Sequence, residues 1–187
     1  MPKTRTFIAV EALDEVQSSA LGVIDRLRGA TDGVRWVEPD NLHWTLQFLG
    51  DLDDREMAEV CLRTVRIAAK HEAFELEAHG VGAFPSIQKP RTLWLGAGRG
   101  ADKFCALQAD VERLLNELGF RGENRAFTPH LTIGRTSGAA GTLLSDRLAK
   151  LADLDGGLMS VDEVIVFASE LGRAGPEYSV LARAPLA

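Results

Sequence analysis

"NLHWTLQFLG", residues 41–50, decides how this chain is read. Apolar side chains at Leu42, Trp44, Leu46 and Phe48 alternate with His43, Thr45 and Gln47, the period of a β-strand with one buried and one open face. The alternation assigns His43, Thr45 and Gln47 to the open face and Phe48 to the core. An imidazole and a hydroxyl two positions apart on an open face form a surface that binding or chemistry can use.

A second copy of the pattern lies nearly half a chain further on. "FTPHLTIGR" (127–135) repeats His, apolar, Thr, apolar as His130, Leu131, Thr132 and Ile133. One histidine on a strand is ordinarily a hydrogen-bonded structural residue. Two such runs, each in strand-like surroundings, point instead to two lobes of similar construction that face one another.

The segments around the two runs predict an α+β fold. Strands are expected at 5–12, within 34–50 with a break at Pro39, and at 74–84, 91–98 and 127–135. A single strand at 159–171 is expected to pair antiparallel with 176–186 and close the fold. Helical spacing predicts helices over 14–28, 51–71, 102–118 with a stop at Gly119, and 142–152. With no low-complexity stretch and no linker, residues 1–187 read as one bilobal domain.

Composition narrows the function classes. A chain of 187 residues with 45% hydrophobic and 26% charged residues has the makeup of an ordinary soluble globular domain. The start "MPKTRTFIAVEAL" lacks a signal-peptide pattern, and no apolar run is long enough to span a bilayer, so the expected location is cytoplasmic. A net charge of −6 argues against coating of long nucleic acid and leaves room for a small phosphate held by local arginines. Cys61 and Cys105 have neither zinc nor redox spacing and read as buried free thiols. His71 and His79 lack ligand-like spacing to the motifs, so no metal or other cofactor is expected. A monomer is expected, because no large apolar stripe is left unassigned.

The paired motif suits one kind of chemistry. Opening a cyclic phosphate needs a base that takes a proton from water on one side of phosphorus and an acid that protonates the leaving oxygen on the other. Two imidazoles on opposed lobes can fill both roles. Thr45 and Thr132 would point hydroxyls into the same cleft and donate to non-bridging oxygens. Arg135, three residues beyond Thr132, falls on the wrong face of a regular strand unless Gly134 marks a bulge that turns it back.

These residues resemble the two-histidine phosphoesterases, whose signature is matched by "HWTL" (43–46) and "HLTI" (130–133). "RTFIAV", "WVEPDNLHWTLQFLGD", "GAFPSIQKPRTLWLGAG", "FTPHLTIGR" and "ELGRAGPEYSVL" are similar to the branch of RNA 2',3'-cyclic phosphodiesterases, also called 2'-5' RNA ligases, over nearly the whole chain. The resemblance implies a bilobal, LigT-like, pseudo-two-fold fold in which two antiparallel sheets form a central cleft with helices outside. It also implies metal-independent opening of RNA 2',3'-cyclic phosphates to 2'-phosphomonoesters, with reversible 2'-5' RNA ligation beside it. By that analogy His43 is the general acid, His130 the base, and Thr45, Thr132 and Arg135 hold the phosphate. Phe84 is a candidate to stack on a nucleobase. Arg91, Lys89, Arg5 and Arg125 are candidates for RNA phosphates, and Trp44, bulky for its place, implies a roomy pocket behind its strand. The expected partners are RNA 3' ends or short oligonucleotides with a cyclic phosphate, and no membrane.

Two other functions fit the same residues. A phosphoesterase for 2'-5' oligonucleotides or for a cyclic phosphate on a sugar nucleotide would carry identical motifs. A non-catalytic nucleotide-binding module would keep the cleft, though intact histidines and threonines in both halves count against it.

Overall fold

The structure is a computed structural model that describes residues 3–120, 126–136, 141–172 and 175–187. In chain order its elements are β1 (Thr4–Glu11), α1 (Asp14–Arg28), β2 (Val34–Trp36), a 3-10 turn (Pro39–Asn41), β3 (His43–Leu52), α2 (Asp54–Ala68), β4 (Phe74–Phe84) and β5 (Thr92–Ala97). Then follow α3 (Ala101–Asn116), β6 (His130–Thr136), α4 (Thr142–Lys150), β7 (Asp155–Val161), β8 (Glu163–Leu171) and β9 (Pro176–Pro185).

The strands run antiparallel in the order β7-β4-β5-β6-β3-β1-β8-β9, with β2 added on β6. The two sheets expected from the resemblance are present as two four-stranded halves. They join where the motif strands β3 and β6 meet through one pair, Trp44 opposite Leu131. The seam between the lobes therefore passes directly through the two His-x-Thr runs.

Alternation sorts the strands into two faces. Ile8, Val10, Trp44, Leu46, Leu93, Leu95, Leu131 and Ile133 enter one continuous core with the buried faces of the helices, such as Val16, Ile24 and Leu27 of α1 and Phe104, Leu107 and Val111 of α3. Among the described residues no helix contributes to the cluster on the opposite face, which forms the cleft. A smaller apolar cluster of Phe7, Ala9, Ile165 and Phe167, with Tyr178 packed against it, floors the first lobe on that side.

Local chemistry accounts for the element ends. Pro39 begins the 3-10 turn that separates β2 from β3. Asp53 and Glu56 form a reciprocal capping box at the start of α2. Gly119 takes a φ of +89°, where the Phe120 N–H returns to the Leu115 carbonyl after α3.

Three expectations change. Residues 159–171 are two strands broken at Asp162: β7 pairs with β4 at one edge of the sheet, and β8 pairs with β1 and β9 in the other half. The sequence carries a sign of the crossing: Asp162 and Glu163 are adjacent polar residues, and from Val164 to Ala168 the alternation gives way to a continuous apolar run buried on both faces. Cys61 and Cys105 are free but half-buried rather than buried. Phe48 leaves the core for the cleft side, for a reason that lies in the geometry of its strand. Among the described residues no helix is long and apolar enough to cross a membrane.

Candidate active site

Each motif strand carries a bulge directly after its His-x-Thr run. On β3, Thr45 lies opposite Ala9 and Gln47 opposite Ile8, so Leu46 is the extra residue. On β6, Thr132 lies opposite Trp94 and Gly134 opposite Leu93, so Ile133 is the extra residue. One added residue reverses the phase of everything beyond it.

The reversal corrects the first strand and completes the second. Gln47, expected on the open face, is 7% exposed, and neither amide atom has a partner among the described residues. Phe48, expected in the core, is 53% exposed and packs on Phe7 across the strand pair, with ring centroids 5.9 Å apart. On β6 the same displacement turns Arg135 onto the face of His130 and Thr132. There its guanidinium donates to the Thr92 hydroxyl at 3.3 Å. Gly134 is required at the bulge because a Cβ would lie 2.8 Å from Val34 and 2.9 Å from Trp36.

Both histidines are held alike. His43 Nδ1 lies 2.7 Å from the Asn41 carbonyl, and His130 Nδ1 lies 2.8 Å from the Thr128 carbonyl. A carbonyl only accepts, so each Nδ1 carries a proton, and in the neutral ring the lone pair resides on Nε2. An edge-on aromatic steadies each ring: Tyr178 against His43 at 5.5 Å and 82°, and Phe84 against His130 at 5.0 Å and 90°.

The surroundings differ in charge and burial. His43 rests on Phe7, with centroids 4.9 Å apart, and burial is the main cause that brings its imidazole down to about 4 from the ordinary 6.5. The Asn41 carbonyl opposes this, while Arg135 and His130 lower it further. The lobes thus bring His130 and Arg135 close enough to act on His43. Burial raises the Tyr178 phenol, and Arg135 and Arg5 draw it back.

Thr45 and Thr132 are half-buried on the cleft face beside their histidines. Phe84 lies between His130 and Trp94, 5.1 Å from the latter. Arg5 shares the Phe7 face of β1, whereas Arg91 and Lys89 are exposed near the start of β5, Arg91 directly before Thr92. Arg125 lies outside the described residues. His71 is occupied by Asp110 at 3.0 Å. Trp44 fills the pocket its bulk implied: it is fully buried, 6.2 Å from Phe104. No group of three His, Cys, Asp or Glu among the described residues is placed to hold a metal.

Tyr178, Phe7 and Phe167 were not legible as site residues. All three lie in runs that read as ordinary strand, and they reach His43 only because β1, β8 and β9 lie side by side. Gln47 did carry a signal, since it is the position equivalent to Gly134 and breaks the repeat where the bulge falls.

The 2'-5' RNA ligase superfamily model matches residues 14–173. The chain is 36% identical over 148 residues to an RNA 2',3'-cyclic phosphodiesterase of Aquifex aeolicus, covering 79% of each chain. It is 35% identical over 181 residues to the protein of that name from Methanothermobacter thermautotrophicus, covering 95% of this chain and 96% of the relative. The crystal structure of E. coli LigT in apo form superposes with a TM-score of 0.78 at 25% identity, covering 100% of this chain and 99% of that one.

Proposed function

We propose that this chain, which belongs to the 2'-5' RNA ligase superfamily, opens 2',3'-cyclic phosphates at RNA 3' ends to 2'-phosphomonoesters. The observation that carries this reading is the matched pair of imidazoles. Each presents Nε2 for proton transfer because a backbone carbonyl holds its Nδ1 proton. Relatives named RNA 2',3'-cyclic phosphodiesterase at 36% and 35% identity support the same substrate.

In this mechanism the cyclic phosphate lies between the lobes, with Thr45 and Thr132 donating to its non-bridging oxygens and Arg135 neutralising its charge. His130 takes a proton from water as the oxygen attacks phosphorus. The bond from phosphorus to O3' breaks in line, and His43 delivers its proton to that oxygen. The 2'-phosphate remains. No step uses a metal or nucleotide cofactor.

Burial keeps His43 neutral in the free protein at neutral pH, yet the acid role requires a proton on Nε2. An anionic phosphate held against the ring favours the imidazolium. Substrate binding and protonation of His43 are therefore one coupled event. With an RNA 5' hydroxyl in the place of water the same roles would join it to the cyclic end through a 2'-5' bond: His130 takes the hydroxyl proton, the P–O3' bond breaks and His43 protonates O3', and exchange of the two roles runs that transfer backward.

Phe48 extends the site on the first lobe as an exposed aromatic in the place that Arg135 takes on the second. It offers a stacking surface to the nucleobase of the cyclic-phosphate nucleoside.

The test is cleavage of a short RNA ending in a 2',3'-cyclic phosphate in EDTA, with the product phosphate located. A 2'-phosphate made by the wild type and by neither His43→Ala nor His130→Ala supports the reading. A 3'-phosphate reverses its polarity, and no turnover by folded wild type rejects it.

A further inference from the structure

We propose that the cavity beside Trp94 is a second nucleobase site, taking the nucleotide that precedes the cyclic end of the RNA; the placement of that end rests on the hydrolytic reading above. The cavity measures about 280 Å³ and is lined by His79, Gly80, Trp94, Gly96, Thr128 and Ala152, among others. That is below the usual range for a whole small-molecule ligand, roughly 300–1,000 Å³, and suits one flat ring.

The sheet is shaped around an indole that the core does not use. Trp94 lies on the cleft face of β5, half-buried, between Thr132 on one neighbouring strand and Gly82 on the other. A Cβ at Gly82 would stand 2.3 Å from the Trp94 ring, and one at Gly96 would stand 3.2 Å from it. The ring therefore lies close on bare backbone at two positions, so close at Gly82 that a side chain there would displace it. Glycine within strands weakens them, and an indole that merely filled space could have been placed among the core residues instead.

Chemistry selects the occupant. The Trp94 Nε1–H is buried and has no acceptor among the described residues. That hydrogen lies in the ring plane and away from solvent, so the occupant is set by the indole face, which stacks on a flat heterocycle such as a nucleobase. His79, exposed at the rim, adds a polar contact for the base edge or the sugar.

Position selects the nucleotide. Thr132, proposed to hold the phosphate, is the direct neighbour of Trp94 across the sheet, about 4.8 Å away as strands are spaced. Thr128, in the cavity wall, is the residue whose carbonyl holds His130 Nδ1. Phe84 bridges His130 and Trp94 by ring contacts at 5.0 and 5.1 Å. With the terminal nucleoside on the Phe48 side, the chain leads to the Trp94 side.

Two variants probe the cavity from opposite sides. Trp94→Ala removes the platform, and Ala152→Phe fills the cavity from an exposed rim position without disturbing the sheet. Each is compared with wild type for binding, by calorimetry, of a mononucleotide and a dinucleotide ending in a 2'-phosphate, and for turnover of the matching cyclic phosphates. The expected result is about tenfold tighter binding of the dinucleotide by wild type, abolished in both variants, with KM and kcat for the cyclic mononucleotide unchanged in Ala152→Phe. Equal binding of the two lengths by wild type, or a preference that survives in Ala152→Phe, overturns the proposal. Absence of turnover by wild type on either length rejects hydrolysis instead, while the binding comparison still decides the cavity.

Discussion

Phe48 and Arg135 occupy the same place in the two motif strands. Each is the fifth residue after its histidine, each lies beyond a one-residue bulge, and each is turned by that bulge onto the cleft face, opposite Phe7 and Thr92 respectively. The pseudo-two-fold repeat thus sets an aromatic surface against a fixed positive charge. A symmetric fold acquires an asymmetric site, aromatic on one lobe and cationic on the other.

Removal of either imidazole is expected to lower kcat by about 100-fold to 10,000-fold, with smaller effects on ligand binding. His43→Ala together with His130→Ala should cost far less than the product of the single losses, since the two groups act in one proton-transfer sequence. Single-turnover assays on a cyclic-phosphate RNA measure this. Additive losses would show that the histidines act in separate steps.

Protonation of His43 is expected to follow the ligand. In the free protein its imidazole titrates near pH 4, so it is neutral above that value. NMR titration with saturating inorganic phosphate should move the midpoint upward by at least one unit, because the bound anion favours the charged ring. A midpoint that stays near 4 would assign His43 as the base and His130 as the acid.

The same burial links His43 to stability. Its folded value lies below the unfolded 6.5, so between about pH 6.5 and 4 the unfolded chain binds more protons and stability falls as the pH is lowered. His43→Gln removes this titration. Denaturant unfolding of the wild type should lose on the order of 2–3 kcal/mol more than the variant across that window. Parallel losses in the two proteins would contradict the burial of the ring.

Arg135→Ala is expected to reduce kcat/KM by roughly 10-fold to 100-fold through loss of a charge-assisted phosphate contact. Arg135→Lys should restore part of it. Steady-state kinetics at two ionic strengths test this, since the wild type should be the more salt-sensitive protein. An Arg135→Ala protein with unchanged kinetics would place the phosphate away from this side chain.

Phe48 and Trp44 are expected to separate function from stability. Phe48→Ala, at an exposed position, should leave thermal unfolding nearly unchanged while raising KM about tenfold. Trp44→Ala empties a fully buried site and should destabilise by about 3–5 kcal/mol. Comparable destabilisation by both would return Phe48 to the core.

Alternation, helical spacing and the repeated His-x-Thr run were enough to place nearly every helix and strand, both histidines and both threonines, because those features depend on residues close in sequence. α1 begins and ends where its apolar spacing does, at Asp14 and Arg28. Tertiary structure alone decided the bulges, since a bulge is a count of two residues against one and exists only once a partner strand is in register. That register moved Phe48 out of the core and Arg135 into the cleft. It also decided the burial of His43, which comes from Phe7, Phe167 and Tyr178 on strands distant in the chain. Desolvation depends on what surrounds a group in space, and here those surroundings come from three separate segments.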